Sequence, residues 1–149
     1  MKQAHRGCIL HFLSDPDSDS KQCYEYFSDG LIIIEDGVVH SLCDASQAVK
    51  YLGTDVSVID HPNSLIIPGF VDCHIHFPQT EVIAAYGEQL LQWLNKYTFP
   101  AESKFKDETY AKAMAEQFLD ELLRAGTTTA LVFGTVHKQS VDAFFEACE

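Results

Sequence analysis

The sequence predicts an α/β chain in two parts: a small, mostly-β region up to Pro68, then a parallel sheet with crossover helices. Three observations carry this expectation. Residues 1–68 are short runs of aromatic and branched residues separated by turn-forming clusters. After Pro68-Gly69 the pattern changes to strand, helix, strand, helix, the order that builds βαβ units. Hydrophobic residues make up 46% and charged residues 21% of 149 residues, the balance of a globular chain with its own core.

In the β region, strands are expected over residues 8–13, 24–27, 31–35 and 38–42, with two more at 56–59 and 65–67. Turn signals stand at 15–20, at Ser28-Asp29-Gly30 and at Asp36-Gly37. The last is the strongest, because a two-residue type I′ hairpin turn needs positive φ twice, which Asp and Gly tolerate. Residues 45–52 can form a helical turn or two ended by Gly53. In the second part, 70–76 is a strand and 89–97 an amphipathic helix, with Trp93 and the leucines packing inward. Residues 108–125 form the clearest helix. Asp107 is its N-cap, Tyr110, Met114, Phe118 and Leu122 recur at i+4, and Gly126 follows its end. Residues 127–133 are β-branched and apolar, as a parallel strand buried on both faces should be. Ser140 is the expected cap of a last helix over 141–149.

The chemistry is concentrated in the run PGFVDCHIH, Pro68 to His76. Side chains two apart on a strand share a face, so His74 and His76 point one way while Cys73 and Ile75 point the other. Imidazoles roughly 6–7 Å apart along a strand can converge on one cation with bonds of about 2.0–2.1 Å. Asp72 stands further back as an acceptor, and Cys73 is expected under a helix. His137, just past the second strand, falls at the same end of the sheet and reads as a loop residue. His5, His11, His40 and His61 lie in the β region, where nothing catalytic is expected.

PGFVDCHIH resembles the first barrel strand of the amidohydrolase superfamily. Phe77-Pro78-Gln79 and then LLQWLNKYTFPAE, Leu90 to Glu102, closely resemble guanine deaminases and are far more specific than His-x-His alone. The resemblance covers essentially the whole chain. It implies that residues 1–68 are the N-terminal part of a β-sandwich domain and that 69–149 are the first βα units of a (β/α)8 TIM-type barrel. The 81 residues from Gly69 to Glu149 compare with roughly 250 for a whole barrel, so the barrel is expected to be incomplete. It further implies that His74 and His76 bind one divalent metal, zinc by the family's habit, and that His76, Phe77, Pro78 and Gln79 line a purine pocket. The implied reaction is hydrolytic deamination of guanine to xanthine and ammonia by a metal-activated water. The proton-shuttling carboxylate is expected beyond residue 149, so the chain alone should be inactive. The competing expectations are an amidohydrolase acting on a different heterocycle, or a non-catalytic fragment. The family also implies a homodimer.

Bulk properties agree. A net charge of -12 with scattered Lys and Arg argues against nucleic acid or an anionic membrane as partner. The N-terminus turns acidic where a signal peptide needs an apolar stretch, and no run approaches the roughly 20 apolar residues of a membrane span. Five cysteines without CxxC spacing suggest reduced thiols, hence the cytoplasm.

Overall fold

The computed structural model describes residues 2–16, 22–50, 52 and 56–149. The chain divides into two compact units, Met1–Pro68 and Gly69–Glu149.

The first unit is a four-stranded sheet of β1 (Lys2–Phe12), β2 (Tyr24–Glu35), β3 (Val38–Asp44) and β4 (Val58–Ile66), in the order β3-β2-β1-β4. The β2–β3 hairpin turns on Asp36 and Gly37, with φ of 51° and 81°, as the sequence predicts. Ser28-Asp29-Gly30 is not a turn: β2 continues through it, with a shift of register opposite Cys8. The Asp29 carboxylate takes the Arg6 guanidinium in a two-pronged pair at 2.7 Å, and Gly30 lies opposite Gly7. The polar residues that suggested a turn are cross-strand partners. The two expected strands at 56–59 and 65–67 are one strand, bulged where Gly7 alone faces residues 61–64. Pro62 is tolerated there because β4 is an edge strand with no further neighbour to bond. A 3-10 turn, Ala45–Lys50, lays Ala48 on Ala4, Leu31 and Ile33 to close a small core. The expected stop at Gly53 and most of the 15–20 turn lie outside the described residues.

The second unit opens with β5 (Phe70–His76), which pairs in parallel with β6 (Thr127–Phe133). Between them run a 3-10 turn (Phe77–Val82) and α1 (Leu90–Trp93). One π-helical turn (Leu94–Thr98) leads into α2 (Phe99–Ser103), and α3 (Glu108–Arg124) follows. The expected helix over 89–97 is thus interrupted, and Pro100 supplies a reason: it lacks the N–H that would reach back to the carbonyl four residues earlier. Leu90 and Leu91 are 70% and 71% exposed, contrary to the expected inward packing. Trp93 is anchored by its indole N–H, which donates to the Ala85 carbonyl at 3.1 Å.

α3 follows its sequence signals. The Asp107 carboxylate accepts the Tyr110 N–H at 3.0 Å, and Gly126 takes φ of 82° just past the end. Met114 and Phe118 enter the core with Phe77, Phe105, Ala111, Ala115 and Ala143, while Tyr110 and Leu122 pack at its edge. The last helix, α4 (Lys138–Cys148), starts three residues earlier than expected. Ser140 is buried inside its first turn rather than capping it. There its hydroxyl donates to the His137 carbonyl at 2.8 Å and takes the Thr135 N–H at 3.2 Å. The hydroxyl satisfies the loop before the helix, so the cap rule misplaced the start. The sheet also departs from expectation. Its C-terminal end is covered on one face, through Ile75 and Val132, but Cys73 is exposed instead of lying under a helix, and Leu131, on the face of Phe133, is exposed instead of buried.

Candidate metal centre

β5 delivers two imidazoles to one point. His74 and His76 share a strand face, and their Nε2 atoms approach to 3.1 Å. The Phe133 ring packs against both, with centroids 4.7 Å away in each case, nearly parallel to His76 at 13°. Phe133 was not singled out from the sequence. Its signal was available in the parallel register, which sets it opposite His76. Asp72 accepts the backbone N–H of His74 at 2.9 Å, so its carboxylate steadies the strand rather than an imidazole.

Two nitrogens 3.1 Å apart, each about 2.05 Å from a shared cation, subtend about 100° there, close to a tetrahedral angle. Their chemistry suits zinc, for which imidazole is a common ligand. They supply part of a set. Catalytic zinc typically keeps three protein ligands, and among the described residues no group of three or more His, Cys, Asp or Glu could hold a metal.

The segment after His76 splits between core and cleft. Phe77 is 1% exposed, its ring edge-on to Phe105 at 5.1 Å and beside Phe144 at 5.0 Å. Pro78 is buried with it. Gln79 instead joins the imidazoles at a cleft of about 500 Å³, lined also by Val82, Ala85 and Trp93. The structure therefore brings His74, His76 and Gln79 together and sends Phe77 and Pro78 into the packing behind them. The Gln79 amide nitrogen lies 3.3 Å from His76 Nδ1 and donates to Glu102 Oε1 at 3.1 Å. Glu102 was also missed as a site residue, although it ends the Leu90–Glu102 run noted above. His137 engages through its backbone, its N–H donating to Thr135 Oγ1 at 3.0 Å. In the first unit His5 stacks on His61, and His11 meets Glu25 at 2.9 Å. Among the described residues no helix is long and apolar enough to cross a membrane.

Residues 65–149 match the Amidohydrolase family. The chain is 49% identical to the guanine deaminase of Escherichia coli (strain K12), over 97% of this chain and 34% of that protein. Among solved structures, E. coli guanine deaminase superposes with a TM-score of 0.89 at 45% identity, covering 98% of this chain and 34% of that one. The guanine deaminase from C. acetobutylicum with guanine bound in its active site gives 0.79 at 32% identity, covering 99% and 33%. A zinc-bound adenosine deaminase from Xanthomonas campestris, 17% identical, shares the fold with a TM-score of 0.73 over 97% of this chain and 31% of its own. The chain spans about a third of the length of the guanine deaminases it matches.

Proposed function

Because the chain belongs to the amidohydrolase family, we propose that it supplies the first metal-binding strand and part of the purine pocket of a guanine deaminase. The observation that carries this reading is the approach of His74 and His76 Nε2 to 3.1 Å at the C-terminal end of β5. That is the end where barrel enzymes place their chemistry. In the same reading, Met1–Pro68 is the opening part of a β-sandwich and Gly69–Glu149 the opening βα units of a (β/α)8 barrel. A homodimeric, cytoplasmic enzyme also belongs to it, supported by the resemblance alone.

The reaction converts guanine and water to xanthine and ammonia. A divalent cation held there, zinc by the donor set, would supply a water activated for attack near neutral pH. The chain's own residues do the rest of what can be assigned here. His74 and His76 hold the cation as neutral imidazoles, and Phe133 restrains both rings. Asp72 accepts the backbone N–H of His74 and so steadies the strand at the first of them. Gln79 offers an amide, donor and acceptor together, to the edge of the base. Phe77 and Pro78 wall off the core behind, which keeps His76 and Gln79 at fixed spacing. The test is ammonia release from guanine by the purified complete enzyme that contains this chain, before and after chelation and zinc restoration, with Gln79→Leu alongside. Turnover should vanish with the metal and return with it. Gln79→Leu should keep its metal and lose about 10- to 100-fold in kcat/KM, the scale of a buried polar group left unpaired. Chelator-resistant turnover, or an unchanged kcat/KM in Gln79→Leu, overturns the corresponding half.

A further inference from the structure

We propose that Glu102 is a positioning residue that fixes which end of the Gln79 amide is offered to the substrate. The inference rests on the reading of Gln79 as a purine contact and goes beyond it by naming the group that orients it.

A glutamine amide has a donor end and an acceptor end of almost equal shape, exchanged by a soft terminal torsion. Left alone, it would present either end, and a purine edge can use only one of them at a given point. A carboxylate accepts and never donates as long as it is ionised. Glu102 Oε1, 3.1 Å from Gln79 Nε2, therefore admits the nitrogen end of the amide and rejects the oxygen end. Among the described residues the other partner of that nitrogen is His76 Nδ1 at 3.3 Å, and this contact needs a lone pair on Nδ1. A neutral imidazole that gives Nε2 to a cation carries its proton on Nδ1, so the contact is lost on metal loading. The carboxylate is the partner that remains.

The carboxylate is itself well held. Glu102 sits in α2, whose neighbours Thr98, Ala101 and Phe105 are all buried. A second contact ties the same two segments in parallel: Lys104 pairs with Glu81, two residues on from each member of the first pair. The Gln79 and Glu102 backbones are thereby kept in register independently of the bond between their side chains.

The experiment is a double-mutant cycle on the purified complete enzyme that contains this chain, read as KM and kcat for guanine, metal content and unfolding midpoint. Glu102→Gln is isosteric but can donate as well as accept, so it lets the Gln79 amide turn. It should raise KM by roughly tenfold, the lower end of what a hydrogen bond to a charged group is worth. Metal content and midpoint should stay at the parent values. In a Gln79→Ala background the same change should add less than about twofold, because its route to the substrate is gone. Glu102→Asp, which keeps the charge but withdraws it by one methylene, should give a smaller rise of the same kind. If Gln79→Ala raises KM but Glu102→Gln does not, or if the two effects multiply, the positioning role falls and the reading of Gln79 stands. If Gln79→Ala itself leaves KM and kcat unchanged, that reading falls and takes the inference with it.

Discussion

Replacing Phe77 with alanine separates packing from substrate contact at the residue next to the metal pair. The resemblance implies that Phe77 lines the purine pocket, yet the structure leaves it 1% exposed among aromatic rings. Its centroid is 5.1 Å from Phe105, 5.9 Å from Phe118 and 5.0 Å from Phe144, so the ring is enclosed by residues from three later segments. Phenylalanine-to-alanine changes in a core cost about 3–5 kcal/mol, and aromatic pairs at these spacings contribute about 0.5–1.5 kcal/mol each. Three ring contacts place Phe77→Ala at least in the middle of the range, about 4 kcal/mol. Against a total stability of about 5–15 kcal/mol, that leaves the variant marginal. Phe77→Leu keeps most of the volume but loses the three ring pairs, so it should cost about 2 kcal/mol, less than Phe77→Ala. Urea unfolding followed by fluorescence reads this directly, because the single tryptophan, Trp93, lies in the same unit. A Phe77→Ala protein that unfolds like the parent but binds guanine poorly would place the ring in the pocket and refute the packing argument.

Two further changes probe the frame around the site. At Gly69 an added Cβ would fall 2.0 Å from Thr128 Oγ1 and 2.6 Å from Thr128 Cβ, so Gly69→Ala must displace β6. It should cost about 1–3 kcal/mol by unfolding, with partial recovery in Gly69→Ala/Thr128→Gly; an unchanged midpoint would contradict the close approach. Burial, with the Glu81 carboxylate nearby, pushes the Tyr110 phenol up to about 12. A raised folded-state value means that the associated stability is whole below the phenol's ordinary value of 10.0 and fades as the pH climbs towards 12. Tyr110→Phe should remove that step from a stability–pH curve, and a step that persists would assign it to another group.

Features set by short-range geometry were legible in the sequence. Asp36-Gly37 announces its turn because two positive φ angles are needed at adjacent residues, and both are found. His74 and His76 share a face because strand period is fixed at two, and α3 reads correctly from Asp107 to Gly126 because its cap, stripe and stop agree. The misreadings have tertiary causes. Ser28-Asp29-Gly30 looks like a turn until Arg6, 23 residues away from Asp29, claims the carboxylate. Ser140 looks like a cap until its hydroxyl is found bridging His137 and Thr135. The resemblance groups Phe77 with Gln79, but a 3-10 turn sends their side chains in different directions, one to the core and one to the cleft. Glu102 could not be assigned because its contact depends on how α2 returns to β5, which no local pattern encodes, whereas Phe133 follows only once β6 is set in register beside β5.

The role of the His74–His76 pair is tested most directly by metal content and guanine turnover measured together on His74→Ala. With one of two convergent imidazoles removed, bound divalent metal should fall well below the parent's stoichiometry, and xanthine formation should fall with it. With metal removed from both proteins, the unfolding midpoint should differ little, because the His74 side chain is exposed and outside the core. Stoichiometric metal and undiminished xanthine formation in His74→Ala would contradict the assignment of β5 as the metal-binding strand.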